Sequence, residues 1–279
     1  MYSYLYYNSI QTPIQWWSVS EWVIWDFPHL NPLKYSTDYN KNIIYQLYRS
    51  LNKYDYKQNK IVSDIADCDI NDLKNVVCYI NKEASWSNWD KISADDVIAT
   101  YNIIQNSEVN TYIASLLKNS KVEKQDNKIV FTNKTADVNF INVLLQPIAA
   151  KSVIDNIWNK ELLWKFNPLD WVYSGPYRID TVSYDDSLWV QKLILLKNDF
   201  YAVKDENIYI AKFIYKFFKD ATQFTKQKDS VDIFYDQNNV IWNSIPRLNK
   251  NGFYPNQFVS LFLNSDKIKD KNLRSILLE

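Results

Sequence analysis

The sequence predicts a mixed α/β fold of the α+β kind, in which helices and strands follow one another without regular βαβ alternation. Two patterns carry this prediction. Apolar side chains mostly alternate along Ile208–Phe218, as in a strand with one buried face, whereas those of Tyr39–Leu51 recur at the spacing of one helix face. A length of 279 residues is ample for one or two domains with a buried core.

The chain up to Gln105 contains four predicted elements. A strand and loop over Trp16–Tyr39 precede the helix just described, and two short alternating runs around the polar turn Asn71–Lys74 predict a hairpin. Ser93 with Asp96 three residues later forms a capping box, which predicts a helix over Ser93–Gln105. Capping and the helix dipole account for the paired acids Asp95 and Asp96 without a catalytic role.

The remaining elements follow from the same periodicities. Helical spacing predicts three segments, which are Thr111–Leu117, Thr135–Leu145 and, more weakly, Lys151–Trp164. Alternation predicts a hairpin over Lys121–Thr132 that turns at Gln125–Asn127, and the strands Tyr177–Tyr184, Leu188–Leu196 and Ile208–Phe218.

The chain has two cysteines, Cys68 and Cys78, one in each strand of the first predicted hairpin. They would lie nearly opposite each other, so the pattern fits a cross-strand disulfide in an oxidising compartment. It fits two free, half-buried thiols equally well. Their ten-residue separation excludes a CxxC metal or redox motif.

Charge and motif content exclude several functions. Lysine plus arginine equals aspartate plus glutamate, at 32 each, so no net field attracts nucleic acid or an acidic membrane surface. No run of eighteen apolar residues exists, and residues 1–15 lack the basic start and apolar core of a signal peptide. The single histidine, His29, has no partner for a triad or zinc site, and no phosphate loop occurs. No cofactor, metal or enzymatic activity is expected.

The composition is unusual in having eleven tryptophans and only two glycines. A chain of this length ordinarily has roughly 20 glycines. Glycine adopts positive φ at little cost and therefore supplies most tight turns and helix ends. The scarcity leaves this fold without its usual turn residues.

Five segments of the chain together resemble a known family, the extracellular solute-binding proteins of family 5, whose peptide-binding members serve ABC importers. With glycine in place of Trp16, Trp17, Trp22 and Trp25, the segment Trp16–Leu33 resembles the opening of these proteins. The other four segments follow in family order: ASWSNWDKISADDVIATYNII at Ala84–Ile104, NPLDWVYSGPYRI at Asn167–Ile179, LLKNDFY at Leu195–Tyr201, and FLNSDKIKDKNLRSIL at Phe262–Leu277.

The resemblance implies the lobe of a class II periplasmic-binding-protein-like fold, interrupted by a smaller inserted domain, with the second ligand-binding lobe missing. The implied boundaries are 16–38 for the first part of lobe one and 39–172 for the inserted domain two. Residues 174–260 would return to lobe one, and 261–279 would begin the connection to the missing lobe three.

The resemblance also implies the function, namely binding of oligopeptides or dipeptides outside the cytoplasmic membrane for import. The implied partners are a peptide ligand and the permease and ATPase subunits of the importer, and the protein would be a monomer. Family members are exported, so we expect a leader upstream of Met1 and a lipid anchor as the sole membrane attachment. Nickel complexes, haem and oligosaccharides remain alternative ligands.

Candidate ligand-binding residues also come from the resemblance. The loop that follows the NPL-like motif contributes ligand contacts in the family, and here it gives Tyr35 as an aromatic wall, Ser36 and Thr37 as hydrogen-bond partners, and Asp38 as a partner for a ligand amine. Weaker candidates are Tyr112 and, after the strand that returns to lobe one, Tyr235 and Asp236.

The excess of tryptophan leads to a hypothesis about the gene. We predict that most tryptophans correspond to UGA codons that the source organism reads as glycine, whereas Trp86 coincides with a true tryptophan of the family. Trp89 falls on the glycine of the same motif. The further positions are Trp16, Trp17, Trp22, Trp25 and Trp171, with Trp158, Trp164, Trp189 and Trp242 as weaker cases.

Two other classes of function remain as alternatives. If the tryptophans are genuine, Trp16, Trp17, Trp22 and Trp25 could form the stacking platform of a carbohydrate-binding module. A hydrolase using Asp185 and Asp186 ranks last, because adjacent residues of a strand point to opposite faces and cannot converge on one substrate.

Overall fold

The structure is a computed structural model, and the chain in it divides into two compact units, Met1–Gln237 and Asn238–Glu279. All described residues lie in the first unit. They are 18–24, 30–34, 38–55, 58–106, 110–126, 128–156, 171–185, 190–201, 203, 208–218 and 232–234. Their helices and strands form a mixed α/β fold, as the sequence predicts.

A five-stranded mixed sheet forms the larger part of the described fold. Its strand order is β11-β1-β10-β9-β8. Strand β1 pairs in parallel with both β10 and β11, whereas β9 pairs antiparallel with its two neighbours, β10 and β8. The bounds are Val19–Ile24 for β1, Tyr177–Asp185 for β8, Val190–Lys197 for β9, Lys212–Phe218 for β10 and Ile233–Phe234 for β11.

The helix α1, Asp38–Leu47, packs against this sheet on its β8 side. In β10 the alternating residues Phe213, Tyr215 and Phe217 are all buried, which explains the alternation seen in the sequence. The amide of Gln46 donates to the hydroxyl of Tyr215 across 2.7 Å and so fixes α1 on the sheet.

A smaller antiparallel part lies between β1 and β8 in the chain. Its strands are Asn52–Asp55 (β2), Lys60–Ser63 (β3), Ala66–Asp69 (β4), Asn75–Ile80 (β5), Ser120–Gln125 (β6) and Lys128–Asn133 (β7). Strands β2 and β3 form a hairpin, and the other four form a sheet in the order β4-β5-β7-β6. The helices α2, Ala94–Asn106, and α3, Thr111–Leu117, pack on this sheet around Tyr101, Phe131 and Phe140.

The predicted capping box is confirmed at the start of α2. The carboxylate of Asp96 accepts from both the backbone N–H and the hydroxyl of Ser93, at 2.8 and 2.9 Å. Its other oxygen accepts from the backbone N–H of Lys151 at 2.7 Å. Asp96 is therefore a buried structural acid that joins α2 to the segment around Lys151.

Three helices differ from the sequence prediction in length. The first ends at Leu47 instead of Leu51. Thr135–Leu145 contains a 3₁₀ turn, Val138–Phe140, followed by the short helix α4, Ile141–Leu144, because Asp137 caps the turn through the N–H of Asn139 and delays its start. Helix α5 is Lys151–Ile154, and residues 157–164 lie outside the described part.

Cys68 and Cys78 form a disulfide and are directly paired residues of β4 and β5. The sequence left this pairing open beside two free thiols. The bond fastens the hairpin on the side where β4 is the outermost strand of the sheet.

Candidate functional site

The candidate site is the edge of the large sheet at which three parallel strands end. Strands β1, β10 and β11 run in the same direction, so their carboxyl ends, Ile24, Phe218 and Phe234, lie at one edge. Ligands of open α/β sheets bind outside the carboxyl ends of the strands.

The outermost strand, β11, is fastened to β1 by a side-chain lock. The carboxylate of Asp232 accepts from the backbone N–H and the hydroxyl of Ser20, at 2.7 and 2.8 Å, and the N–H of Asp232 donates to the Ser20 carbonyl oxygen at 3.0 Å. These bonds set the register of β11. The candidates Tyr235 and Asp236 follow Phe234 directly in the sequence.

A tight turn, Asn31–Lys34, follows β1 in the chain and precedes the proposed ligand loop. The side-chain oxygen of Asn31 accepts from the N–H of Leu33 at 2.9 Å, and its carbonyl oxygen accepts from the N–H of Lys34 at 3.0 Å. Asn31 and Leu33 are buried. Partial burial lowers the pKa of Lys34 from its ordinary value.

The segment Leu145–Ile148 holds both ends of the loop region. The amide of Gln146 donates to the carbonyl oxygen of Pro32 at 2.9 Å, and the hydroxyl of Tyr45, in α1, donates to the carbonyl oxygen of Leu145 at 2.7 Å. Gln146 is fully buried. The turn before the loop and the helix after it are thus attached to one short piece of chain.

Gly175 makes the closest backbone approach in this region. Its N–H donates to the carbonyl oxygen of Leu47 at 2.8 Å, and a Cβ at this position would lie 2.4 Å from the carbonyl oxygen of Gln46. Glycine is therefore required here by space rather than by φ. This contact joins the SGPYRI segment to the end of α1.

The predicted site residues have different placements. Asp38 is the first residue of α1. Tyr35, Ser36, Thr37, Tyr235 and Asp236 lie outside the described residues. Tyr112 lies in α3 of the smaller part, is 54 % exposed, and accepts a hydrogen bond from the amide of Asn142 at 3.1 Å. Its described partner therefore belongs to α4 and not to the large sheet.

Sequence reasoning missed Asn31 and Gln146 as residues that shape the site. A signal for Gln146 was present, because it is a single amide within the apolar run LLQPIAA. A buried polar side chain must find hydrogen-bond partners, so such a residue is expected to organise nearby backbone. Its partners could not be identified from the sequence.

The described residues contain neither a cluster of metal-ligating side chains nor a helix that could span a membrane. No group of three or more histidine, cysteine, aspartate or glutamate side chains there could hold a metal ion. Within the same part of the chain, no helix has both the length and the apolar character needed to cross a membrane.

A mixed sheet built from segments on both sides of an inserted antiparallel part defines a periplasmic-binding-protein-like lobe. Residues 60–275 match the family described as bacterial extracellular solute-binding proteins, family 5 Middle. The chain belongs to this family. No curated protein matches it.

Solved structures of solute-binding proteins have the same fold. The oligopeptide-binding protein AppA of Bacillus subtilis, in complex with a nonapeptide, has a TM-score of 0.66 at 24 % identity over 80 % of this chain and 44 % of its own. DppA of Helicobacter pylori, in complex with the peptide STSA, has a TM-score of 0.67 at 17 % identity over 83 % of this chain and 49 % of its own.

A third structure holds a different ligand. NikZ of Campylobacter jejuni, in complex with Ni(L-His), has a TM-score of 0.63 at 18 % identity over 82 % of this chain and 45 % of its own. The chain thus spans less than half the length of each of these three proteins.

Proposed function

We propose that this chain forms a ligand-binding lobe and the inserted domain of a substrate-binding protein that delivers peptides to an ABC importer. Family membership supports the class, and two of the similar structures hold peptides. The observation that carries the proposal is the edge at which β1, β10 and β11 end in parallel. Such an edge offers backbone groups to an extended ligand.

The sheet topology supports the proposed domain organisation. Strand β1 shares one sheet with β8–β11, which agrees with lobe one being built from 16–38 and 174–260 around the inserted domain 39–172. In this proposal, residues 261–279 lead toward a third lobe that closes on the ligand by a hinge motion.

The proposed ligand contacts come from the segments that follow β1 and β11 in the sequence. Tyr35 supplies an aromatic wall, Ser36 and Thr37 offer hydroxyl groups to the peptide backbone, and Asp38 pairs with a ligand amine. Tyr235 and Asp236, which follow β11 in the sequence, are the second group of proposed contacts. Backbone pairing gives affinity for many sequences, and these side chains tune preference. Tyr112 would contact the ligand from the inserted domain and not from the large sheet.

The proposed setting follows from the family. The protein works outside the cytoplasmic membrane as a monomer, held there by a lipid anchor, and docks on the permease and ATPase subunits of its importer. The Cys68–Cys78 disulfide supports an oxidising compartment.

A metal complex is the second candidate ligand, and its support is the similarity to NikZ with Ni(L-His). Haem and oligosaccharide remain further alternatives within the family. Membership of family 5 supports a binding function over a separate carbohydrate-binding module or a hydrolase. Asp185 is the last residue of β8, and this position does not support the hydrolase alternative.

Titration calorimetry on the complete gene product tests the proposal. We expect saturable binding of a mixture of di- to pentapeptides and no binding of nickel–histidine. The variant Tyr35→Ala should weaken peptide binding at least about tenfold, or ~1.4 kcal/mol. Tyr79→Ala is the matched control, because Tyr79 is 54 % exposed on β5 of the inserted part. Binding of nickel–histidine but of no peptide would overturn the proposal.

The isolated chain provides a second test. A lobe that binds alone orders the ligand without excluding water from its other side, so its hydrogen bonds compete with solvent. We expect residues 1–279 alone to bind no peptide tighter than about millimolar, near 4 kcal/mol. Micromolar binding by this chain would show that the ligand does not lie between two lobes.

A further inference from the structure

Gln146 is a buried side chain whose amide is fully hydrogen-bonded. It is 0 % exposed. Its amide nitrogen donates to the carbonyl oxygens of Pro32 and Pro147, at 2.9 and 3.0 Å, and its amide oxygen accepts from the side-chain nitrogen of Asn110 at 3.1 Å. Every polar atom of the side chain is therefore used, which fixes its orientation.

These bonds connect two parts of the fold that are far apart in sequence. Pro32 lies in the buried turn that leads out of the β1 region, 114 residues before Gln146. Asn110 caps α3, because its side-chain oxygen accepts from the N–H of Ile113 at 3.2 Å. The position of the turn therefore depends on the position of α3 through a single side chain.

The backbone around Gln146 is itself held in place. The N–H of Ile148 donates to the carbonyl oxygen of Arg49 at 2.9 Å, and Pro147 forms a β-bridge with Ser50. Tyr45 in α1 donates to the carbonyl oxygen of Leu145 at 2.7 Å. Gln146 thus projects from a short platform that already holds α1, the helix after the proposed ligand loop.

We infer that Gln146 is a positioning residue for ligand binding: it holds the turn Asn31–Lys34 at a fixed distance from α1 and makes this arrangement depend on α3. The inference rests on the proposed function for its effect on affinity. A binding surface whose parts are fixed before binding loses less conformational freedom when the ligand arrives, which strengthens binding.

The variant Gln146→Leu replaces the amide side chain by an apolar side chain of similar size. The carbonyl oxygens of Pro32 and Pro147 then lose their donor in a buried place, and the turn can move away to reach water. Gln105→Leu is the matched control. Gln105 also donates its amide to two carbonyl oxygens, those of Leu117 and Ser120, at 3.0 and 3.2 Å, but both lie within the smaller part.

A second variant, Asn110→Asp, changes the same connection without altering the shape of the core. A carboxylate at this position still accepts from the N–H of Ile113 and suits the positive end of α3. It cannot donate to the amide oxygen of Gln146. Rotating the Gln146 amide would not help, because its oxygen would then face the carbonyl oxygens of Pro32 and Pro147.

The first measurement needs no ligand. Hydrogen exchange of the backbone amides of Leu33 and Lys34 reports on the turn, since both donate within it. We expect at least about tenfold faster exchange in Gln146→Leu and Asn110→Asp, and no change in Gln105→Leu, with all variants well below their melting temperatures. Unchanged exchange in Gln146→Leu and Asn110→Asp would overturn the inference.

The second measurement is titration of the complete gene product with the di- to pentapeptide mixture. Peptide binding should weaken about tenfold in Gln146→Leu and Asn110→Asp. It should stay unchanged in Gln105→Leu, even if all three variants lower the melting temperature. Faster exchange with unchanged affinity would overturn the positioning role. If the unmodified protein binds no peptide, the proposed function fails, while the exchange data still decide whether Gln146 holds the turn.

Discussion

Trp89 donates its backbone N–H to the carbonyl oxygen of Trp86 across 3.2 Å, yet the two indoles have opposite environments. Trp86 is 2 % exposed and Trp89 is 77 % exposed. Trp89 has φ of 75°, and the other described non-glycine residues with positive φ are Asn59 and Asp126, two types that tolerate this region. These environments are the ones expected of a genuine tryptophan at Trp86 and of a glycine position at Trp89.

Replacing Trp89 by glycine should stabilise the protein. Positive φ costs a residue with a Cβ roughly 1–2 kcal/mol, and Gly does not bear this cost. Trp89 also contacts Phe200, with ring centroids 4.2 Å apart, and Trp89→Ala removes that contact while keeping the Cβ. We expect Trp89→Gly to be about 1 kcal/mol more stable than Trp89→Ala in urea unfolding. Equal stability of these two variants would contradict a strained turn.

The same relationship supports our proposal about the genetic code. We predict that the gene carries UGG at Trp86 and UGA at Trp89, and that glycine is inserted at Trp89 in the native protein. Mass spectrometry of the peptide that contains both residues, purified from the source organism, checks this. UGG at Trp16, Trp17, Trp22 and Trp89 would refute the proposal.

Gly175 should not tolerate even alanine. An added Cβ would lie 2.4 Å from the carbonyl oxygen of Gln46, and backbone atoms cannot move aside as a flexible side chain can. We expect Gly175→Ala to cost about 2–3 kcal/mol in the free energy of unfolding, the range of overpacked core sites. Ser183→Ala, at an exposed position of β8, serves as the control and should stay within ~0.5 kcal/mol. A similar effect of both variants would show that the helix end can shift.

Elements with local signals could be predicted from the sequence. The start of α2 is encoded within four residues, because Ser93 and Asp96 form the cap themselves. The strand β10 is encoded by its own alternation, which places Phe213, Tyr215 and Phe217 on the buried face. In both cases the residues that stabilise or bury the element belong to its own segment of the sequence.

Elements that depend on distant contacts could not be predicted. Helix α1 stops at Leu47 because its carbonyl oxygen accepts from the N–H groups of Ser174 and Gly175, more than a hundred residues away. The chain beyond is then free to form the β2–β3 hairpin, where the spacing of apolar residues had favoured continued helix. The role of Gln146 was hidden for the same reason, since Pro32 and Asn110 are remote in sequence.

Two buried tyrosines should make stability depend on alkaline pH. Burial raises the pKa of Tyr48 well above its ordinary value, with the nearby Tyr173 adding to the shift, and burial also raises the pKa of Tyr177. Because the pKa is raised in the folded state, the stabilisation is complete below the unfolded pKa of about 10 and is lost as pH rises above it. Tyr48→Phe and Tyr177→Phe should each shift alkaline unfolding to higher pH.

The same two variants should differ at pH 7. The hydroxyl of Tyr48 has no hydrogen-bond partner among the described residues, so Tyr48→Phe should be neutral or slightly stabilising. The hydroxyl of Tyr177 donates to the carbonyl oxygen of Ile210 at 3.1 Å, so Tyr177→Phe should cost about 1 kcal/mol. Urea unfolding at pH 7 and pH 10.5 measures both effects. An unchanged alkaline transition in Tyr48→Phe would argue that its hydroxyl is hydrated.

The buried ion pair of Arg49 and Asp64 should be far more important for stability than an exposed pair of similar geometry. The Nε of Arg49 lies 2.8 Å from the Asp64 carboxylate, both side chains are 6 % exposed, and the guanidinium lies 5.4 Å from the ring centroid of Tyr201. Arg49→Met leaves a buried carboxylate without its cation, which costs about 3–5 kcal/mol.

The matched control is Lys124→Met, because Lys124 and Asp95 also approach to 2.7 Å but are 44 % and 51 % exposed. Water screens such a pair, so its loss should cost less than ~1 kcal/mol. Urea unfolding of both variants measures how much stability each one loses. In 1 M salt, the loss caused by Lys124→Met should become smaller, whereas the loss caused by Arg49→Met should not. The double variant Arg49→Met with Asp64→Leu removes both buried charges, and it should recover most of the lost stability if the cost of Arg49→Met comes from the stranded carboxylate. Failure to recover would place the cost in the contacts of Arg49 with Tyr201 and with the backbone of Asp64, to whose carbonyl oxygen it donates at 3.1 Å.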